Sequence, residues 1–140
     1  MAATATGQGT RVDHRDAPVH RAPSGLPYRA IASGDQGSRD LFVAEQTLGP
    51  GEAVPRHTHP VEEVLSFLAG SGEATLGEER VAVGPGVSLI LPPGLPHGFE
   101  NTGTAPLQAL VIFPGPSFAS TTRVDTDAPS PSPPDSVGTA

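Results

Sequence analysis

Short runs of apolar residues alternate with polar residues through the middle of the chain, and glycine or proline bounds nearly every run. A period of two is typical of strands that bury one face, and Gly and Pro are typical of the turns between strands. No stretch of helical length has a convincing helical period. The pattern predicts about nine strands, at residues 28–32, 40–48, 53–57, 63–69, 72–76, 80–83, 87–91, 97–101 and 107–113.

So many short strands predict an all-β domain, because a sandwich or a barrel is how such sheets bury their apolar faces. We place this domain at residues 26–116. Residues 1–25 are predicted to be a flexible N-terminal arm, part of which can add a strand. Residues 117–140 are rich in Pro, Ser and Asp and are predicted to be a disordered tail.

Composition and charge remove several classes of function. The formal net charge is -7, and the 8 lysine and arginine residues are scattered, so we expect no nucleic-acid partner. The longest apolar stretches are too short to cross a bilayer, so we expect no membrane association. The chain has no cysteine, which excludes thiolate metal ligands. The first residues lack a basic region followed by an apolar core, and we expect a cytoplasmic location.

Histidine is scarce, with 5 in the chain, yet His57 and His59 stand two residues apart. Positions i and i+2 of a strand point to the same face, so the two imidazoles can converge. Glu63 opens the next predicted strand, and by alternation its neighbour Glu62 points the other way. If the strand that begins at His97 lies beside these strands, three imidazoles and one carboxylate meet in one cavity.

This donor set predicts one divalent transition metal ion per chain. Three neutral nitrogens and one anionic oxygen favour Fe(II), Mn, Ni, Co, Cu or Zn over Ca or Mg. An ion with an octahedral preference keeps open positions for water, dioxygen or substrate, unlike a closed structural zinc site. The alternatives are histidines without metal and, for Glu63, a salt bridge to an arginine such as Arg56.

Two segments of the middle region resemble the two sequence motifs of the cupin superfamily. The first is GEAVPRHTHPVEEVLSFLAG at residues 51–70, with the order Gly, His-x-His, Glu, Gly. The second is GVSLILPPGLPHGFEN at residues 86–101, with the order Gly, Pro-x-Gly, His, Asn. The spacer between them is short, no defining position is substituted, and the resemblance covers about residues 41–113.

The resemblance implies a single cupin-type β-barrel, or double-stranded jelly roll, of the single-domain (monocupin) kind with a metal inside. It implies that His57, His59, Glu63 and His97 are the metal ligands. Other motif positions correspond to turns and packing sites, namely Gly51, Gly70, Gly86, Pro92, Gly94 and Asn101. Cupins of this size often pair, so the resemblance also implies a homodimer.

Four residues are candidates for the wall of a substrate pocket. Phe67 and Phe99 share faces with the ligands, and they either line the pocket or pack the barrel core. Gln46 and Gln108 lie within apolar strands, and they either present an amide to a substrate or occupy outward-facing positions. The sequence identifies no catalytic residue beyond the metal centre.

Two classes of function remain open. The first is a metalloenzyme that acts on a small, largely apolar organic molecule, because an open metal position is a usual place for chemistry. It would act as a dioxygenase, or as a cyclase or isomerase in which the metal polarises a carbonyl; the resemblance extends to cupin dioxygenases and to aromatic polyketide cyclases. The second is a non-catalytic cupin module that binds a small molecule or a metal. A sugar isomerase is disfavoured, because few lysines or arginines lie near the predicted cavity.

Overall fold

Thirteen strands make up most of the regular structure in the computed structural model, which describes residues 3–124. They are β1 (Ala3–Ala5), β2 (Thr10–Val12), β3 (Val19–Arg21), β4 (Pro27–Ala32), β5 (Leu41–Leu48), β6 (Ala53–Thr58), β7 (Glu63–Ala69), β8 (Gly72–Leu76), β9 (Glu79–Val83), β10 (Ser88–Leu91), β11 (His97–Asn101), β12 (Leu107–Pro114) and β13 (Thr122–Arg123). Single-turn 3-10 helices lie at His14–Asp16 and Gly34–Gln36.

The strands form two antiparallel sheets and a separate ribbon of β1 and β2. The larger sheet has six strands in the order β10-β7-β12-β5-β4-β3. The smaller sheet has five strands in the order β13-β6-β11-β8-β9. Strands that follow one another in the chain therefore alternate between the sheets in several places, as in a jelly roll.

The two sheets share one hydrophobic core. Along β12 the buried and half-buried residues alternate, and β5 has the same period of two, so each strand turns one face inward. Phe67 of the larger sheet packs against Phe99 of the smaller one, with ring centroids 5.5 Å apart in an edge-to-face arrangement. The all-β, jelly-roll architecture predicted from the sequence is confirmed.

The predicted strands agree closely with the observed ones. The bounds of β7, β8 and β11 are as predicted, and the other six predicted strands differ by one residue at one end. Within the predicted arm, β3 extends the larger sheet by pairing with β4. Within the predicted tail, β13 pairs with β6, while residues 125–140 lie outside the described residues. The domain limits at residues 26 and 116 stay a prediction.

No helix within residues 3–124 combines the length and the apolar character that crossing a membrane requires.

Asn101 joins three segments of the backbone at the end of β11. Its side chain is 1% exposed, and its Nδ2 donates hydrogen bonds to the carbonyls of Leu48 and Ala105, each at 2.9 Å. Its Oδ1 accepts a hydrogen bond from the Gly103 amide at 2.9 Å. An aliphatic side chain at this position can replace none of these bonds, so the asparagine fixes the loop between β11 and β12.

We therefore expect Asn101→Ala to lower the free energy of unfolding by about 2 kcal/mol, because it leaves the buried Leu48 carbonyl without this donor. Urea unfolding followed by circular dichroism measures the change. Thr102→Ala at the exposed neighbouring position is the matched control and should leave stability near that of the wild type. Equal stabilities of the two variants would contradict this role of Asn101.

Candidate metal centre

The four side chains predicted as metal ligands, His57, His59, Glu63 and His97, come together in the structure. One donor atom from each residue lies within 4.8 Å of the others. Three of the residues are buried, and His57 is partly exposed. The centroids of the three imidazole rings lie between 4.4 and 5.3 Å apart. The spacing of the sequence motifs thus translates into one compact cluster.

Both sheets contribute to this cluster. His57 near the end of β6 and His97 at the start of β11 are paired directly across the smaller sheet. Glu63 is the first residue of β7 in the larger sheet, and His59 follows β6 in the connection to β7. The main-chain amide of Gly94 donates a hydrogen bond to the carbonyl of His59 at 2.8 Å. The cluster therefore depends on the packing of one sheet against the other.

Each imidazole Nδ1 donates a hydrogen bond to a main-chain carbonyl. These bonds join His57 to Pro55 at 2.7 Å, His97 to Leu95 at 2.8 Å and His59 to Ser120 at 3.0 Å. Because a carbonyl oxygen only accepts hydrogen bonds, Nδ1 must carry the proton, and Nε2 of a neutral ring then has a free lone pair. Such bonds set the tautomer and the orientation of metal-binding histidines.

The carboxylate of Glu63 completes the donor set. Its Oε1 accepts a hydrogen bond from Nε2 of His97 at 2.8 Å, a contact that a bound metal ion would replace, and lies 3.2 Å from Nε2 of His59. Burial opposes ionisation of this carboxyl, but interactions with His59 and His97 outweigh that effect and lower the pKa of Glu63. Burial is also the main cause that lowers the pKa of His57 to about 4. A neutral imidazole and an ionised carboxylate are the protonation states that bind a metal ion.

The cluster fits a divalent transition metal ion. Nε2 of His59 is buried and has no hydrogen-bond partner in the described part of the chain, because its approach to Glu63 lacks hydrogen-bond geometry. An unpartnered buried polar atom costs stability, and a cation shared with Glu63 would satisfy it. Arg56 donates to the carbonyl of Gly77 at 3.1 Å and lies 3.9 Å from the carboxylate of Glu78, whereas the charged partners of Glu63 among the described residues are His59 and His97.

A largely apolar cavity of about 220 Å³ lies beside His57. Its wall consists of Ala22, Pro23, Ser24, Gln46, Val54, Pro55, His57, Phe118, Thr121 and Arg123. Several of these residues lie in the segments predicted as arm and tail, where no sequence motif pointed to them. A small molecule in this cavity reaches the cluster from the side of His57, the most exposed of the four candidate ligands.

The four candidate pocket residues have different positions. Gln46 lines the cavity and is 3% exposed, so the outward-facing alternative is wrong for this residue. Gln108 is half-buried on the other face of the larger sheet. Phe67 and Phe99 belong to the hydrophobic core, and neither they nor Gln108 line the cavity at His57.

A match to a family model identifies the family of this chain. Residues 44–113 match the family model of the cupin domain, which is half of the chain. The chain belongs to the cupin family, as its two motifs indicated.

Among curated proteins, the chain is 27% identical to protein SchB of Streptomyces halstedii over 83% of this chain and 88% of that protein. It is 31% identical to the tetracenomycin polyketide synthase protein TcmJ of Streptomyces glaucescens over 69% of this chain and 64% of TcmJ. The chain spans about half the length of several other curated relatives that it matches.

Among solved structures, the polyketide cyclase RemF from Streptomyces resistomycificus superimposes with a TM-score of 0.71 and 25% identity. The alignment covers 84% of this chain and 86% of RemF. The chain is therefore similar in fold to a polyketide cyclase over 84% of its length, and in sequence to a polyketide synthase protein over 69% of its length.

Gly98 allows the close contact between β6 and β11 at the cluster. The register of this pair shifts between His97 and Phe99, and a Cβ atom at Gly98 would lie 2.6 Å from the carbonyl oxygen of Val54. We expect Gly98→Ala to push the strands apart, to lower the free energy of unfolding by about 2 kcal/mol and to weaken retention of bound metal. Urea unfolding and elemental analysis measure the two effects.

Gly9→Ala is the control for this prediction, because a Cβ atom at Gly9 meets nothing within 4 Å. Wild-type stability and metal content in Gly98→Ala would show that β11 does not need glycine at this point.

Proposed function

We propose that this protein is a metalloenzyme that acts on a small, largely apolar organic molecule of polyketide type. The observation that carries the proposal is the convergence of three imidazole nitrogens and one carboxylate oxygen beside an apolar cavity that reaches His57. His57, His59, Glu63 and His97 would hold one divalent transition metal ion. The similarity to RemF and TcmJ supports the substrate type.

Within this class we favour a cyclase over a dioxygenase, because the similarity runs to a polyketide cyclase over most of both chains. When bound, the metal ion supplies a Lewis acid that polarises a carbonyl group. The protein binds the substrate, excludes water and orients the metal ligands. Val54, Pro55 and Phe118 on the cavity wall bind apolar rings and exclude water. The carbonyl bonds at Nδ1 keep the imidazoles fixed, so that a substrate meets a preorganised site.

A non-catalytic binding module is the alternative, and one observation favours it. Within residues 3–124, the wall of the cavity at His57 includes no carboxylate that could act as a general base. A cupin that binds a metabolite or a metal without turnover would need none. Homodimer formation, a cytoplasmic location and the absence of a nucleic-acid partner stay predictions from the sequence.

We expect purified wild-type protein to contain about one divalent transition metal ion per chain, measured by elemental analysis after dialysis against a weak chelator. Removal of one donor leaves the remaining set incomplete, so His57→Ala and Glu63→Gln should each weaken metal retention at least about tenfold. His20→Ala is the control, because His20 is a half-exposed histidine paired with Asp35. Wild-type protein that takes up none of Fe, Mn, Co, Ni, Cu or Zn would contradict the metal site.

The reaction is tested with the metal-loaded protein and a linear poly-β-ketone thioester, with products followed by mass spectrometry and oxygen consumption by an electrode. We expect ring closure with loss of water, no oxygen uptake, and at least about a hundredfold lower rate in His57→Ala because the metal is lost. Oxygen uptake with incorporation of oxygen would instead identify a dioxygenase. A metal-loaded protein that binds the thioester without converting it would support the binding module.

A further inference from the structure

One buried polar side chain in the cavity wall is not used by the metal cluster. Gln46 lies on the inner face of β5, between Ala44 and Leu48, and all three are buried. Its Nε2 is buried and has no hydrogen-bond partner among the described residues. A buried amide nitrogen without a partner costs free energy of folding, so its place in a mostly apolar wall needs a reason.

The other polar groups of the wall differ from Gln46 in their surroundings. The Thr121 hydroxyl already donates a hydrogen bond to the carbonyl of Ala119 at 2.9 Å. Arg123 is exposed and Ser24 is half-buried, so water can satisfy both. Gln46 is 3% exposed and has a donor free for a molecule in the cavity.

The position of Gln46 is fixed by the sheet. β5 is an inner strand, paired with β12 on one side and with β4 on the other, and Gln46 is directly opposite Ala109 in the register. A side chain on such a strand has less freedom than one on a loop, so its amide is preorganised. It lines the same cavity as His57, and a molecule that touches Gln46 is thereby held beside the metal cluster.

We propose that Gln46 is a substrate-binding residue that donates a hydrogen bond from its side-chain amide to a carbonyl oxygen of the molecule bound beside His57. The ligand class is a small, mostly apolar ring ketone, which matches one buried, unpartnered donor in a wall that is mostly apolar. This assignment rests on the proposed function in naming a substrate for the same cavity, but not on the identity of the metal or of the reaction.

The test compares two probes of nearly the same shape, the ring ketone tetralone and the hydrocarbon tetralin, by titration of the metal-loaded full chain. Gln46→Met keeps the length of the side chain and removes its donor. We expect it to weaken tetralone binding about tenfold and to leave tetralin binding unchanged. The ratio of the two affinities therefore isolates the hydrogen bond from packing.

Thermal unfolding of the ligand-free protein provides a second readout, because a ligand-binding glutamine and a structural glutamine predict opposite shifts of the unfolding midpoint. If the amide is kept for the ligand, Gln46→Met removes an unpartnered buried group and raises the midpoint by about 4 °C. A purely structural glutamine would lower the midpoint when replaced. Gln46→Leu serves as the second variant if Gln46→Met does not fold.

Gln108→Met is the matched control. Gln108 lies on β12 next to Ala109, the partner of Gln46, but on the other face of the sheet. The Gln108→Met variant should change neither the ratio of the two affinities nor the midpoint of thermal unfolding.

An unchanged ratio in Gln46→Met, or a wild-type protein that does not bind tetralone, would overturn the assignment. The metal content of the same samples is measured independently. A metal-free wild-type protein would therefore contradict the proposed function while the affinity ratio still decides the role of Gln46.

Discussion

The hydrogen bonds from three imidazole Nδ1 atoms to main-chain carbonyls are the interaction on which the site depends. Without them the rings could rotate or exchange tautomers, and the three histidines beside Glu63 would have no defined chemistry. Two of the bonds are local, since Pro55 and Leu95 each stand two residues before the histidine that they orient. The third reaches from His59 to Ser120, 61 residues further along the chain. The centre is therefore completed by a segment outside the matched family region of residues 44–113.

The sequence predicts the strands and the four candidate ligands because both depend on short-range patterns. Alternation sets which side of a strand is buried, and motif spacing puts His57, His59, Glu63 and His97 at strand ends that meet. The contact of Ser120 with His59 and the pairing of β13 with β6 could not be predicted in this way, because each joins distant segments without a motif. The cavity wall also combines residues from distant segments that carry no motif, so it could not be predicted either.

Gln46 is a different case, because the sequence did contain a signal for it. It stands two residues from Ala44 and two from Leu48, and both neighbours are core residues, so alternation alone assigns Gln46 to the inner face. The equivalent argument fails for Gln108. Apolar residues occupy both faces of β12, and a strand that is apolar on both sides gives no preference. Because Gln46 and Gln108 were considered together, the ambiguous faces of β12 left both positions open, although the pattern of β5 is clear.

The candidate metal ligands and most of the cavity wall come from different regions of the chain. The candidate donor atoms for a metal lie in the family region, whereas much of the cavity wall is formed by residues from outside it, namely Ala22, Pro23, Ser24, Phe118, Thr121 and Arg123. A cavity wall decides which molecule reaches a metal, and the metal decides which bonds it can polarise. Two cupins with the same four donors can thus act on different molecules when these flanking segments differ. In this chain we expect a mostly apolar wall with the buried amide of Gln46 to favour molecules that are mostly apolar and carry an oxygen at one defined point.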